Sequence, residues 1–176
     1  MVKTTGLATI ELTSLLDGYR PDYVITVADR FETIATAIAA SYLNIPLIHI
    51  QGGEQTGSID DKVRNAITQL ADFHFVATTK AKENVQRMVG DKGMCYQVGC
   101  PSLDTICRHK FREPRFPIDE GLGPRIDPAK PYLLVLLHPV TTEDALAHEQ
   151  MWHTINAVQE TGMQAVWLWP NKDAGS

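Results

Sequence analysis

Residues 45–70 read IPLIHIQGGEQTGSIDDKVRNAITQL, and the reading of this stretch decides the fold. Ile45, Leu47, Ile48 and Ile50 form a short apolar run of the length and branching that suit a buried strand, with Pro46 tolerated near its start. From Asp60 onward, Val63, Ile67 and Leu70 fall on one side of a helix. Between the two lie His49, the pair Gly52-Gly53 and the carboxylates of Glu54, Asp60 and Asp61. Strand, polar loop and amphipathic helix make one crossover unit.

The unit recurs in both directions. Upstream, residues 6–17 pair Leu7 with Ile10, and Leu12 with Leu15 and Leu16, at helical spacing, with Thr5 as cap and Gly18 as stop. Tyr23–Val27 reads as a buried strand and Phe31–Leu43 as an alanine-rich helix. Downstream, strands are expected at His74–Ala77 and Cys95–Val98, and helices at Lys80–Val89 and Ser102–Arg108. Strands and helices alternating at this interval predict an α/β fold with a parallel sheet. The composition changes around residues 109–130, where Pro114, Pro117, Pro124, Pro128 and the bordering Pro131 mix with Gly121, Gly123 and many charges. This segment reads as an interdomain linker. Tyr132–Leu137 then reads as a strand, Thr142–Thr161 as mostly helix and Ala165–Trp169 as a strand. The expected organisation is one domain over 1–108, the linker over 109–130 and the start of a second domain over 131–176. The chain stops just past an apolar strand, so it reads as a fragment.

Composition removes several function classes. A hydrophobic share of 44% and a charged share of 21% suit a globular domain, and no apolar run nears the ~20 residues that span a bilayer. A net charge of -5 argues against nucleic-acid binding, which needs a basic face. Cys95, Cys100 and Cys107 are odd in number and lack CxxC spacing, which fits a reducing cytoplasm and neither a zinc site nor a disulfide framework. They are expected to be buried and inert, and Trp167 and Trp169 to pack in the second core.

Ligands of open parallel sheets bind beyond the carboxyl ends of the strands. There the sequence places Asp29-Arg30, His49 with its loop, Gly99-Cys100-Pro101-Ser102, His138-Pro139-Val140-Thr141-Thr142, and Pro170-Asn171. Each has a structural alternative. Asp29 could cap a helix, Gly52 and Gly53 could relieve a turn, and Asp60 and Asp61 could serve the helix dipole. Arg64 lies four residues after Asp60, the spacing of a helical ion pair. Ser102 suits either a cap or an anion site. His49 and His138 stand out as strand-end histidines, whereas His74, His109, His148 and His153 read as sheet interior, linker or helix surface.

Four stretches in order, DRFETIATAIAASYLNIPLIHIQGGEQTGSIDDKVRNAITQLADFHF, VGCPSLD, HPVTTE and WPNKDAGS, resemble the hydrolysing UDP-N-acetylglucosamine 2-epimerases of sialic- and legionaminic-acid pathways. The resemblance covers nearly the whole chain. It implies a GT-B-like architecture of two Rossmann-like domains, both incomplete here, in a cytoplasmic enzyme about twice this length that forms a dimer or tetramer. It implies a nucleotide-sugar substrate and no cofactor or metal. By the same resemblance Asp29, Glu54, Asp60, Arg64, His49 and His138 are the candidate catalytic residues. Arg30, Gln51, Gly52, Gly53, Ser102 and Asn171 are the candidate substrate-binding residues. Gln51 stands where animal relatives carry a glutamate; glutamine cannot act as a base, which moves proton transfer to Asp29, Glu54 or Asp60. A GT-B glycosyltransferase and an inactive truncated subunit are the alternative readings.

Overall fold

The structure is a computed structural model that describes residues 2–57, 59–90, 93–108, 121–140 and 143–170. The chain divides into two compact units, residues 1–110 and 111–176. In the first, the order is α1 (Val2–Tyr19), β1 (Val24–Val27), α2 (Thr33–Tyr42), β2 (Leu47–Ile50), α3 (Ile59–Leu70), β3 (Phe73–Val76), α4 (Thr79–Val89), β4 (Met94–Gln97) and α5 (Pro101–Arg108). The four strands are all parallel and lie in the order β1-β2-β3-β4. The alternation of strand and helix legible in the sequence is therefore the alternation of the fold.

Stepping from each strand to its immediate neighbour by right-handed crossovers puts the connecting helices on one face. That face holds the core: Val24, Ala37, Ala40, Ile45, Leu47 and Ile67 form one cluster, and Val76, Ala81 and Val85 a second. The alanines of α2 explain themselves here. Ala35, Ala37, Ala39 and Ala40 are buried because α2 packs against α1, α3, β1 and β2 at once, and small side chains permit the close approach. The opposite face carries Ile25, Val27, Ile48, Ile50, Phe73, Phe75, Met94 and Tyr96, with Ile25 58% exposed.

Helix α1 is longer than its sequence signals. Thr5, expected as a cap, lies inside it and donates from its hydroxyl to the Phe31 carbonyl at 3.3 Å. Gly18 does not end it; the stop is Arg20, whose φ of 46° turns the chain while its N–H bonds to the Leu16 carbonyl at 2.9 Å.

Strand register places Thr26, His49, His74 and Cys95 side by side across the sheet on the helix-covered face. His74 is fully buried, as expected for a sheet-interior histidine, and neither ring nitrogen has a hydrogen-bond partner. Burial, with the neighbouring His49 adding to it and Asp72 opposing, holds the His74 pKa down to about 4. His49 is lowered as well, by burial, against the bond its ring makes to the Ala28 carbonyl. A histidine whose folded pKa lies below its unfolded value of 6.5 takes up its proton first in the unfolded chain. Stability is then full above pH 6.5 and falls as the pH drops toward 4. His74 alone should remove on the order of 3 kcal/mol across that window. Urea melts at pH 7 and pH 4.5 check this, and His74→Phe should flatten the slope.

In the second unit, β5 (Tyr132–Val135) pairs in parallel with β6 (Gln164–Trp167), joined through a 3₁₀ turn (Asp144–Leu146) and α6 (Ala147–Glu160). The Gln164 amide ties β6 to the segment before β5, accepting from the Asp127 N–H at 2.8 Å and donating to the Asp127 carbonyl at 2.7 Å. The tryptophans correct the sequence reading: Trp167 is 41% and Trp169 84% exposed. Trp167 falls on the outward side of β6, and Trp169 lies past the strand's end. The cysteines also differ from expectation, since Cys107 is exposed and Cys95 and Cys100 are only partly buried.

Candidate active site

Two left-handed residues open the site. Ala28, just after β1, has φ 59°, and Gln51, just after β2, has φ 64°. Neither is glycine, so each conformation costs roughly 1 kcal/mol and is held by its surroundings. The holding bonds are visible: Ala28 N–H donates to the Ile50 carbonyl at 2.9 Å, and Gln51 N–H to the Phe75 carbonyl at 2.8 Å. Both turns direct the following residues, Asp29 and Gly52, past the carboxyl edge of the sheet.

Arg64 is the centre of what lies there. It reaches from α3 and is only 3% exposed. Its Nη2 donates to Asp29 Oδ2, and its Nη1 to Asp61 Oδ1 at 2.6 Å and to the Glu54 carbonyl at 2.6 Å. Burial lowers its pKa, which for a guanidinium leaves it charged. Helical spacing nominates Asp60 as its partner, but the partner on α3 is Asp61, three residues earlier, together with the distant Asp29. Asp61 also accepts from Thr56 N–H at 2.8 Å, Thr56 Oγ1 at 2.9 Å and Gly57 N–H at 2.8 Å. These bonds, led by that from the Thr56 backbone, hold its carboxyl below the usual range. One arginine thus connects the end of β1, the acid loop and the first turn of α3.

His49 lies behind the cluster. It is fully buried, with Nε2 3.0 Å from the Ala28 carbonyl and Nδ1 3.1 Å from Thr68 Oγ1. A carbonyl only accepts, so Nε2 carries the proton and Thr68 donates to Nδ1. Both ring nitrogens are therefore occupied, and the ring braces the left-handed turn at Ala28 against α3. Gly52 sits over that brace: a Cβ there would lie 2.9 Å from His49 Nδ1 and 3.0 Å from Thr68 Oγ1. Gly53, at φ 82°, presses on the start of α4, where a Cβ would lie 2.2 Å from the Ala81 carbonyl oxygen. Close backbone approach does explain the glycine pair, and the surface approached is the protein's own.

Glu54 is exposed, Asp60 is half-buried in the first turn of α3, and Arg30 is exposed beside Glu32 at 3.2 Å. Gln51 donates from Nε2 to Cys100 Sγ at 3.7 Å, joining the β2 edge to the turn before α5. The Cys100 thiol is lowered by the Leu103 N–H first, with Ser102 N–H, the Ser102 side chain and Gln51 assisting. Asp29, His49, Gln51, Gly52, Gly53, Glu54, Asp60, Arg64 and Ser102 thus all lie in the first unit. His138, exposed and beyond β5, belongs to the second, and Asn171 lies outside the described residues. Sequence reasoning missed Asp61 as the ion-pair partner, and Thr56, Thr68 and Asn84 entirely. The only signal for Thr56 was its distance of five residues from an aspartate at a helix start.

A parallel α/β sheet with polar loops and a buried arginine gathered at its carboxyl edge defines the class of proteins that take ligands at that edge. Residues 1–176 match the family of UDP-N-acetylglucosamine 2-epimerases, and the chain belongs to it. It is 38% identical over 175 residues to the UDP-N,N'-diacetylbacillosamine 2-epimerase (hydrolyzing) of Legionella pneumophila, covering 99% of this chain and 46% of that protein. Identity to the UDP-N-acetylglucosamine 2-epimerase of Neisseria meningitidis is 28% over 165 residues, covering 94% and 43%. The solved UDP-N-acetylglucosamine 2-epimerase of Methanocaldococcus jannaschii, in complex with UDP-N-acetylglucosamine and UDP, superposes with a TM-score of 0.78. That match, at 17% identity, covers 96% of this chain and 47% of the solved one. The fold is therefore GT-B-like, and the chain spans about half the length of the relatives it matches.

Proposed function

We propose that this chain carries the acid-loop part of a hydrolysing 2-epimerase, acting on UDP-N-acetylglucosamine or a related UDP-diacetamido sugar. The observation behind the reading is the Asp29–Arg64–Asp61 cluster at the ends of β1 and β2, with Glu54 and Asp60 on the same loop and helix. In the reaction a base removes the C2 proton as the C1–oxygen bond to the diphosphate breaks, leaving a glycal and UDP. Water then adds hydroxide at C1 and a proton at C2 from the opposite face, giving the free sugar with inverted C2. Two proton transfers need two suitably placed groups. Arg64 has no proton to give and serves to hold the carboxylates in place. Asp61 spends its oxygens on Arg64, Thr56 and Gly57, which makes it an anchor. Proton transfer then falls to Glu54 and Asp60, with Asp29 fixed against Arg64. By the family resemblance, His138 and Asn171 are assigned to the nucleotide.

The reaction is tested in deuterium oxide with UDP-N-acetylglucosamine and with UDP-N,N'-diacetylbacillosamine, without any acceptor. The expected products are UDP and a C2-inverted free sugar bearing deuterium at C2. Release that depends on an acceptor, with C2 unexchanged, would identify a glycosyltransferase instead.

A further inference from the structure

Two consecutive carbonyls of the acid loop are held from two different helices. The Gly53 carbonyl accepts from Asn84 Nδ2 of α4 at 2.9 Å, and the Glu54 carbonyl accepts from Arg64 Nη1 of α3 at 2.6 Å. Arg64 is already accounted for by its ion pairs. Asn84 is not: its half-buried amide is spent on one backbone oxygen. Beside that bond is a hollow of about 290 Å³, lined among others by Glu54, Asn65, Arg87 and Met88. Gly53 is locked on its other side, against the Ala81 carbonyl and Val85.

We infer that Asn84 is a positioning residue for the epimerase reaction proposed above, on which this inference rests: it fixes the Gly53–Glu54 peptide and thereby the direction of the Glu54 carboxylate. Without the amide, the Gly53 carbonyl faces an open hollow in which water can replace the lost partner. The peptide plane then loses the bond that selects its present orientation. Glycine at φ 82° supplies the freedom to rotate, since it has no Cβ to oppose it. The bond therefore selects a geometry more than it stabilises a fold. Alanine at this helical site improves helix propensity, so the global stability of Asn84→Ala should change little.

The test uses Asn84→Ala, which deletes the donor, and Asn84→Asp, which keeps the shape but sets a carboxylate oxygen against the carbonyl. Amide exchange is read at Gln51, Thr56 and Gly57, each of which donates a hydrogen bond in the loop. Exchange there should rise about tenfold in both variants, as for one lost hydrogen bond, while the amides inside α4 hold their rates. In turnover assays kcat should fall about tenfold with KM within about threefold, because the acid is misdirected while the substrate still binds. Unchanged loop exchange overturns the inference, as does faster exchange with kcat intact. An inactive wild-type protein would sink the epimerase reading separately, and the exchange measurement would still decide whether Asn84 positions the loop.

Discussion

Arg64→Met is expected to abolish turnover and to destabilise the first unit by about 3 kcal/mol, the lower end of the range for breaking a buried ion pair. Methionine retains much of the apolar stem, so the change isolates the guanidinium. Its removal strips the donor from three acceptors together, Asp29, Asp61 and the Glu54 carbonyl. Asp29 and Asp61, 21% and 25% exposed, keep some access to water, which places the cost at the lower end. They also lose the cation that both of them share. Arg64→Lys separates charge from shape, because one ammonium cannot span three acceptors in the directions that a planar guanidinium does. It should recover part of the stability and little of the activity. Urea denaturation and turnover read the two effects separately. A methionine variant within ~1 kcal/mol of the wild type would mean that the carboxylates find other partners.

The fold was legible because its signals are repeated and local. Each strand is a short apolar run, each helix has its stripe, and the observed boundaries fall within a few residues of the expected ones. The two misread helix ends have a common cause. Thr5 looks like a cap and Gly18 like a stop, but α1 is held by packing along α2, and a single glycine costs only about 1 kcal/mol against that. The site was legible as a place and less so as a set of bonds. Strand-end logic pointed to Asp29, His49 and the glycine pair, and helical spacing pointed to Arg64. It could not find that Arg64 joins residues 35 positions apart, because that pairing depends on the left-handed turn at Ala28, an ordinary alanine in the sequence. Nor could it choose Asp61 over Asp60: i+3 and i+4 are both neighbours on a helix, and only the loop bonds to Thr56 and Gly57 draw Asp61 toward the arginine. Thr68 and Asn84 carried no signal, since a threonine or asparagine on an amphipathic helix is unremarkable until its partner is known. The exposed tryptophans were misplaced for the opposite reason, a strong hydrophobic signal at one position that faces outward on β6 and another past its end.

Gly53→Ala should be the more damaging of the two glycine changes in the loop that force a left-handed backbone. The comparison with Gly57→Ala shows why. Both residues have positive φ, 82° and 79°, so both alanines incur left-handed strain of roughly 1–2 kcal/mol. At Gly57 that is the whole cost, because a Cβ there meets nothing within 4 Å. At Gly53 the Cβ would lie 2.2 Å from the Ala81 carbonyl oxygen and 2.9 Å from Val85 Cγ2. The first of these is backbone in the opening turn of α4, held by its own helical bonds and by the Thr78 hydroxyl cap on Ala81 N–H at 3.1 Å. It cannot rotate away as a side-chain tip would. Either α4 shifts outward or the loop lifts off it, and overpacking of this kind adds about 1–3 kcal/mol to the strain. The expected total is about 2–5 kcal/mol, against about 1–2 for Gly57→Ala. Whichever element moves, the Asn84 bond to the Gly53 carbonyl lengthens, so turnover should fall further than the loss of folded protein explains. Thermal melts and turnover of the two alanine variants, made in parallel, test this. Equal losses would show that the close packing on α4 carries no weight, and that the glycine is there for its backbone angle alone.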